Sequence, residues 1–559
     1  MAKNTDLKTP WKRFISMLQL DRRDIKQILF YAIFAGLVSL SLPLGIQAII
    51  NLIQGAQIST SWIVLVVLVT LGVAFQGALQ LMQIRILENV QQKIFARASF
   101  EFAYRFPKIK MKELRNYYPP ELANRFFDVL TVQKGLSKIL LDFPAAILQI
   151  VFGIILLSFY HPFFIIYGLL LLILVLIVFR FTARKGLETS LKESKLKYKV
   201  AHWIQEIARS IVSFKISGNT TLAMNRNDDL TALYLKAREG HFRVLIIQFL
   251  QMIGFKVLVT AGLLVIGGLL VLNQQMNIGQ FVAAEIIILL VISSVEKLIL
   301  GLETFYDVLT SLEKIGQVVD KEIENQEGVD PFEKEKPLHI ELEKLGITTP
   351  EGQVILKDIN LIINEKERMI IDGPSGSGKT TLLKLISTIE SPTEGSIYVN
   401  GNCTNGIFLN KYRKRVGQVL PENQTFEGTI LENITLNDSS ISIDKVNEVI
   451  EQLGLLPFVK KNSASLDTLI YSQGKQIPHT IARKIVIARA IVHEPKLLLL
   501  KDPLDQFDPV EAKEIITYLS SPDRPWALVV SSKNPLWNTV CSHTVHIENG
   551  TIKNNKRDA

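Results

Sequence analysis

The chain has 559 residues, too many for one ordinary domain, and a net charge of +9. Its mean hydropathy is positive although 21% of its residues are charged, and its two cysteines, Cys403 and Cys541, lack the spacing of a metal site or a disulfide framework. The excess of Lys and Arg does not point to nucleic acid, because it crowds around the ends of long apolar runs, as in membrane proteins.

The N-terminal stretch "TPWKRFISMLQL" places Trp11, Phe14, Ile15 and Leu18 at helical spacing. It reads as an amphipathic helix lying along the inner membrane surface. Its apolar run is too long for a cleavable signal and has no convincing cleavage site. From Gln27 to Ile84 there is no Asp, Glu, Lys or Arg. At ~20 apolar residues per crossing, this holds two spans joined by "NLIQGAQISTS". A second charge-free stretch runs from Phe143 to Phe179, with "YHPF" as its turn, and a third hairpin runs from about Val244 to Val295. Six spans in three hairpins are expected. The three short turns carry no Lys or Arg, whereas the N-terminus and long connections carry Lys12, Arg13, Arg22, Arg23, Lys26, Arg85, Lys93 and Arg97. The turns should face outward and both termini should be cytoplasmic.

The long connections read as helical legs reaching far below the bilayer at ~1.5 Å per residue. They break at "FPKIKMKELRNYYPPEL" and near "FKISGNTTL". Such legs suit a protein that carries force between a soluble domain and the membrane. Lys256 and Glu285 fall inside spans at different depths. Lys256 is expected to snorkel to the inner interface and Glu285 to face an inter-helix cavity.

The stretch 321–337 is charged and poor in apolar residues, which reads as a linker or exposed helix tail. After it, "LHIELEKLGI" alternates like an edge strand, and "RMIIDGPSGSGKTTLLKLI" runs strand, glycine loop, helix. Gly373, Gly378, Lys379 and Thr380 fit the G-x-x-x-x-G-K-[ST] pattern in that context. Glycines let backbone N–H groups close around phosphates at a helix N-terminus. Lys379 would reach the β- and γ-phosphates, and the Thr380 hydroxyl would coordinate Mg²⁺. The nucleotide-binding set is Gly373, Pro374, Ser375, Gly376, Ser377, Gly378, Lys379, Thr380 and Thr381, with ATP and Mg²⁺ as ligands.

Over nearly its whole length the chain resembles half-size ATP-binding-cassette (ABC) exporters of the multidrug and hemolysin-secretion type. The six spans, the legs and the C-terminal P-loop carry the resemblance, with "VILKDINLIINEKERMI", "FEGTILENI", "LDTLI" and "KIVIARAIVHEPKLLLL". It implies an α-helical six-span transmembrane domain followed by an α/β P-loop domain, and a dimer that sandwiches ATP between one subunit's P-loop and the other's signature motif. The expected divisions are an amphipathic segment 1–24, a transmembrane domain 25–320, a linker 321–337 and a nucleotide-binding domain 338–559.

Several family positions depart from the pattern. The adenine-stacking aromatic falls at Thr349 and the γ-phosphate-sensing Gln at Pro421. The signature aligns with "IPHTI" (Ile477–Ile481), which lacks the serine and both glycines. The magnesium-holding Asp falls at Lys501, the general-base Glu at Asp502 and the switch His at Ser532, while Asp508 keeps the dimer-contact loop. Asp502 is therefore the candidate catalytic residue. Two readings of Lys501 stand open: an ion pair with Asp502, or an ammonium that takes over part of the magnesium ion's charge.

The expected function is ATP-dependent export with degraded or unusual hydrolysis by a homodimer in the bilayer. The exported substrate is not legible. The N-terminal stretch is not expected to hold a peptidase-like domain, and adaptor partners, though open, are singled out by no residue. The rival reading is a non-transporting membrane scaffold or regulator that keeps its ATP-binding P-loop mainly for its fold.

Overall fold

The structure, a computed structural model, describes residues 8–54, 60–332 and 337–557, with side chains throughout these except at 8–9, 171–172 and 174–183. Part of the expected first turn, part of the linker and the start of the segment 1–24 fall outside the described residues. Two units form. One comprises Met1–Lys108 and Asn116–Lys321; the other comprises Ile109–Arg115 and Glu322–Ala559.

The first unit is helical. Its long helices are Thr60–Arg105, Asp128–Ser158, Phe163–Arg209, Leu222–Leu272 and Ile278–Val319, preceded by Lys8–Leu20, Arg22–Ser39 and Ser41–Gln54. Pro43 stands in the first turn of Ser41–Gln54, where a missing N–H is tolerated, and the chain breaks just before it. Asn277 starts the last helix with a reciprocal cap: its side chain accepts from Gln280 N (2.7 Å), and the Gln280 side chain accepts from Asn277 N (2.9 Å). Among the described residues, Arg22–Gln54, Thr60–Lys108, Pro119–Ser158, Leu222–Leu272 and Ile278–Val319 are long and apolar enough to cross a membrane. The remaining expected span belongs to Phe163–Arg209, where the side chains of 174–183 lie outside the described residues.

The outer helices leave large apolar side chains uncovered. Val67, Leu68 and Leu71 on Thr60–Arg105 are each more than half exposed. Ile278–Val319 is the inner helix, with half of its most apolar window buried. An apolar surface of this extent belongs in lipid.

Three membrane-half expectations need correction or refinement. Lys256 does not simply snorkel: its Nζ lies 2.6 Å from Glu296 Oε2. That carboxylate comes one residue after the third hairpin's end at Val295, and helix packing brings it to the lysine. Glu285 is exposed on the surface of this chain, so the chain's own helices do not enclose it. In the N-terminal helix, Phe14 is buried and Trp11 packs on Phe305, with ring centroids 5.0 Å apart. Arg13 pairs with Glu313 and Asp320. Part of the apolar face expected to meet lipid is therefore covered by the last helix.

The second unit is α/β. Its strands are β1 (His339–Thr348), β2 (Val354–Asn364), β3 (Arg368–Asp372), β4 (Glu394–Val399), β5 (Asn402–Cys403), β6 (Val416–Val419), β7 (Gly428–Thr429), β8 (Leu469–Ile470), β9 (Leu497–Lys501), β10 (Ala527–Ser531), β11 (His543–Glu548) and β12 (Thr551–Arg557). The main sheet runs β12-β11-β3-β10-β9-β6, and a second sheet runs β2-β1-β4-β5. In the main sheet β11, β3, β10, β9 and β6 are parallel, and β12 is antiparallel to β11. The four leucines of β9 show why a parallel strand reads as a continuous apolar run. Leu498 and Leu500 enter one core, Leu497 and Leu499 the other, and all four are fully buried.

Two further expectations change. β1 is not an edge strand, because it pairs with β2 on one side and β4 on the other. The described part of 321–337 is not a free linker either. Ile323 bridges Ile109, Arg413 holds Glu324 through both guanidinium NH groups, and Phe332 is buried against Tyr412 in a near-parallel stack. A charged composition conceals these anchors, since a few well-placed side chains suffice to fix a chain.

Candidate nucleotide site

The parallel strands bring their C-terminal ends to one rim of the sheet. β10 lies between β3 and β9, with Val530 opposite Ile370 and Ser531 opposite Lys501. The glycine loop leaves β3 at Asp372 and enters the helix Lys379–Ile386. Gly373, Gly376 and Gly378 all have positive φ (138°, 84° and 98°), a region nearly closed to other residues. A Cβ on Gly373 would lie 2.0 Å from the Ile547 carbonyl oxygen, whereas one on Gly376 would meet nothing within 4 Å. Gly373 is needed for packing, and Gly376 leaves open the side on which a phosphate can approach the backbone.

Lys379 Nζ donates to the carbonyls of Gly373 (2.7 Å) and Pro374 (2.6 Å). The loop thus holds its own lysine across its mouth. Burial lowers the Lys379 pKa first, and the Lys501 ammonium lowers it further; Asp372 and Asp502 oppose this, and Lys533 adds to it. An incoming phosphate would act in the opposite direction and favour the charged form. Ser377 is buried, Pro374, Ser375 and Gly376 are exposed, and Gly373, Gly378, Thr380 and Thr381 are half-buried. The loop and the helix N-terminus provide N–H groups and the positive end of a helix dipole.

The end of β9 is the unusual part. Lys501 forms an ion pair with Asp502 Oδ2. Asp502 has φ +42°, and its N–H donates to the Ser531 carbonyl (2.9 Å). Asp502 Oδ1 is buried without a protein partner, as is Ser531 Oγ on the neighbouring strand. Buried polar atoms normally find a partner, so these two oxygens mark a place where the protein leaves bonding capacity open.

Sequence reasoning missed Arg483. It stands on the helix His479–Ile491, and its guanidinium reaches the carbonyls of Leu420 (3.1 Å), Lys501 (3.1 Å), Asp502 (3.4 Å) and Pro503 (3.3 Å). One side chain ties the turn after β9 to the end of β6 beyond Val419. Burial lowers its pKa, with Asp505 and Asp502 opposing. A lone Arg in the half-apolar run "IPHTIARKIV" was the available signal. Lys533 was also missed. It lies two residues beyond Ser531, is exposed, and acts electrostatically on both Lys379 and Asp505.

The remaining family positions have local tasks. Thr349 closes the β1–β2 turn through Gln353 and Gly352. Pro421 is exposed after Leu420. Ile477 and Pro478 precede the helix that begins at His479. The Ser532 hydroxyl accepts from Asn534 N (3.2 Å). Asp508 caps the helix Pro509–Ser520 by accepting from Val510 N (2.9 Å).

The donor set is a poor one for a divalent cation. Thr380 offers a hydroxyl and Asp502 one free oxygen, but the position that should carry the ligating carboxylate carries the Lys501 ammonium. Unit charges ~4 Å apart at an effective dielectric of about 20 interact by about 4 kcal/mol, and a divalent ion doubles this. The Asp502 carboxylate offsets part of that repulsion, so the site offers a divalent ion one hydroxyl and one carboxylate oxygen beside an ammonium.

Residues 27–295 match the family described as the ABC transporter transmembrane region, and residues 356–505 match the ABC transporter family. Among curated relatives, the alpha-hemolysin translocation ATP-binding protein HlyB of Escherichia coli O157:H7 is 29% identical over 308 residues, covering 53% of this chain and 43% of that protein. The toxin RTX-I translocation ATP-binding protein of Actinobacillus pleuropneumoniae is 30% identical over 252 residues, covering 45% and 35%. The matched stretch is thus less than half the length of these relatives. A solved structure of a bacterial Atm1-family ABC exporter with ATP bound superimposes with a TM-score of 0.84 over 96% of this chain and 95% of that one, at 15% identity. At that identity the likeness establishes the fold. The family implies ATP as the ligand, with Mg²⁺ its usual companion. With a helical membrane-spanning domain followed by an α/β nucleotide domain, and both family matches in that order, the chain belongs to the ABC transporters and has the architecture of a half-size exporter.

Proposed function

We propose that this chain is the ATP-binding and permease subunit of an exporter that binds ATP firmly and hydrolyses it slowly. The observation that carries this is the contrast at one rim of the sheet: a whole glycine loop, Gly373–Thr381, beside a β9 end that presents Lys501 and Asp502. The loop binds phosphate through backbone N–H groups and the Lys379 ammonium. Asp502 is the candidate general base; its unpartnered Oδ1 is buried and would have to turn toward the site to accept the proton of an attacking water. It is one methylene shorter than the family's Glu, and its other oxygen is committed to Lys501.

The chain would act as a homodimer. In a heterodimer, one site would use this chain's Pro421, Lys501 and Ser532, and the other its "IPHTI" segment, so neither site would be whole. Both termini and the nucleotide domain would be cytoplasmic and the protein would sit in the cell membrane, on the charge asymmetry of the turns. The toxin-translocation roles in the relatives' names make polypeptides the first cargo class to test, together with secretion adaptors.

Inverted vesicles carrying the chain should accumulate at least one solute when ATP is added, and vesicles carrying Lys379→Ala should not. Untargeted mass spectrometry of the lumen reads the difference. Identical contents, with ATP binding intact in the parent, would instead support the scaffold reading.

A further inference from the structure

The rim where β3, β10 and β9 end carries three lysines from three different segments. Lys379 starts the helix after β3, Lys533 follows β10 by two residues, and Lys501 ends β9. β10 is hydrogen-bonded to both neighbours, and Ser531 stands opposite Lys501. Three carboxylates belong to the same rim. Asp372 is mostly exposed, with His546 3.4 Å away; Asp502 is paired with Lys501; Asp505 feels Asp502, Lys501, Arg483 and Lys533. None of the three stands at position 501, where the family resemblance expects the ligating carboxylate.

The geometry points to an ATP site in which Lys501, helped by Lys533, supplies the positive charge that a magnesium ion would otherwise bring to the phosphates. This rests on the reading that the glycine loop binds ATP. An ammonium has three donors. Lys501 can keep one on Asp502 and turn the others to phosphate oxygens without leaving a buried charge unpaired. Its side chain is 15% exposed, so it is held near the rim rather than free in solvent. The arrangement also accounts for Asp502. Its ion pair keeps the Lys501 ammonium oriented when no nucleotide is present, and breaking that contact is not required for binding. Lys533 is exposed, so its contribution should be smaller and sensitive to salt.

The test is a calorimetric titration of ATP into the purified full-length protein, in EDTA and in excess Mg²⁺, for the parent, Lys501→Asp, Lys501→Met and Lys533→Ser. The parent should bind with Kd values within about threefold in the two conditions. Lys501→Asp should lose roughly tenfold or more in EDTA and recover in Mg²⁺, because the substitution restores a ligand for the ion. Such a factor corresponds to the loss of one charge-assisted hydrogen bond. Lys501→Met should weaken in EDTA, and Lys533→Ser should weaken less. If the parent loses affinity in EDTA as steeply as Lys501→Asp, the lysines do not replace the metal, while ATP binding itself stands. If every variant remains independent of Mg²⁺, the assignment to Lys501 is wrong. If the folded parent binds no ATP in either condition, the nucleotide reading fails and this inference with it.

Discussion

Replacing Lys379 by alanine should abolish measurable ATP binding while leaving the protein folded. The ammonium sits across the loop mouth on the carbonyls of Gly373 and Pro374 and is the cation closest to the loop backbone. On binding, it exchanges these neutral acceptors for phosphate oxygens. A hydrogen bond to a charged group contributes ~1.5–3 kcal/mol, and two of them correspond to at least ~100-fold in Kd. The cost to the fold is small, because the side chain is half-buried and its two carbonyl partners can turn to water. Calorimetry should show no heat of ATP binding in a variant whose melting temperature stays within a few degrees of the parent's. Unchanged affinity would mean that the loop is a structural turn.

Gly373→Ala should destabilise the nucleotide domain far more than Gly376→Ala, although both glycines have positive φ. At Gly376 the cost is backbone strain alone, ~1–2 kcal/mol, since the added methyl meets open space. At Gly373 the methyl would lie 2.0 Å from the Ile547 carbonyl oxygen on β11, a backbone atom that cannot swing aside. Overpacking adds ~1–3 kcal/mol to the strain, for a total of about 2–5 kcal/mol. The melting transition of the nucleotide domain in the full-length protein should fall by about 2–12 °C more for Gly373→Ala. Equal shifts for the two variants would show that the loop moves away from β11 at little cost.

What the sequence reveals here, and what it hides, follows from the range of the interactions. Long charge-free runs and the glycine loop depend on composition and short spacing, so the membrane helices and the strand–loop–helix at Arg368–Ile386 could be read directly. The β9 leucines could be read for the same reason, since a strand buried on both faces has no polar alternation to confuse. Pairings across 40 to 300 residues could not. Lys256 with Glu296, Arg13 with Glu313, and Glu324 with Arg413 each look like unrelated surface charges until packing joins them. β1 was misread as an edge strand because its alternation reports one buried face and is silent about neighbours. Arg483 escaped for a different reason. Its partners are all backbone carbonyls, which leave no mark on the composition of the segments it holds together.

The central claim is that an intact phosphate loop here serves a site poorly equipped for turnover. Loss of a general base or an electrostatic donor costs ~10²–10⁴ in rate. On the proposed reading, positions 421, 477–481, 501, 502 and 532 stand where the family resemblance leads one to expect other residues, and their effects would overlap rather than multiply. Steady-state hydrolysis by the purified, reconstituted chain at saturating ATP tests this most directly, measured with Lys379→Ala as the blank. The account predicts a turnover well below ~1 s⁻¹, under the ~10 s⁻¹ typical of enzymes, in protein that calorimetry shows to be occupied by ATP. Turnover of tens per second would contradict it.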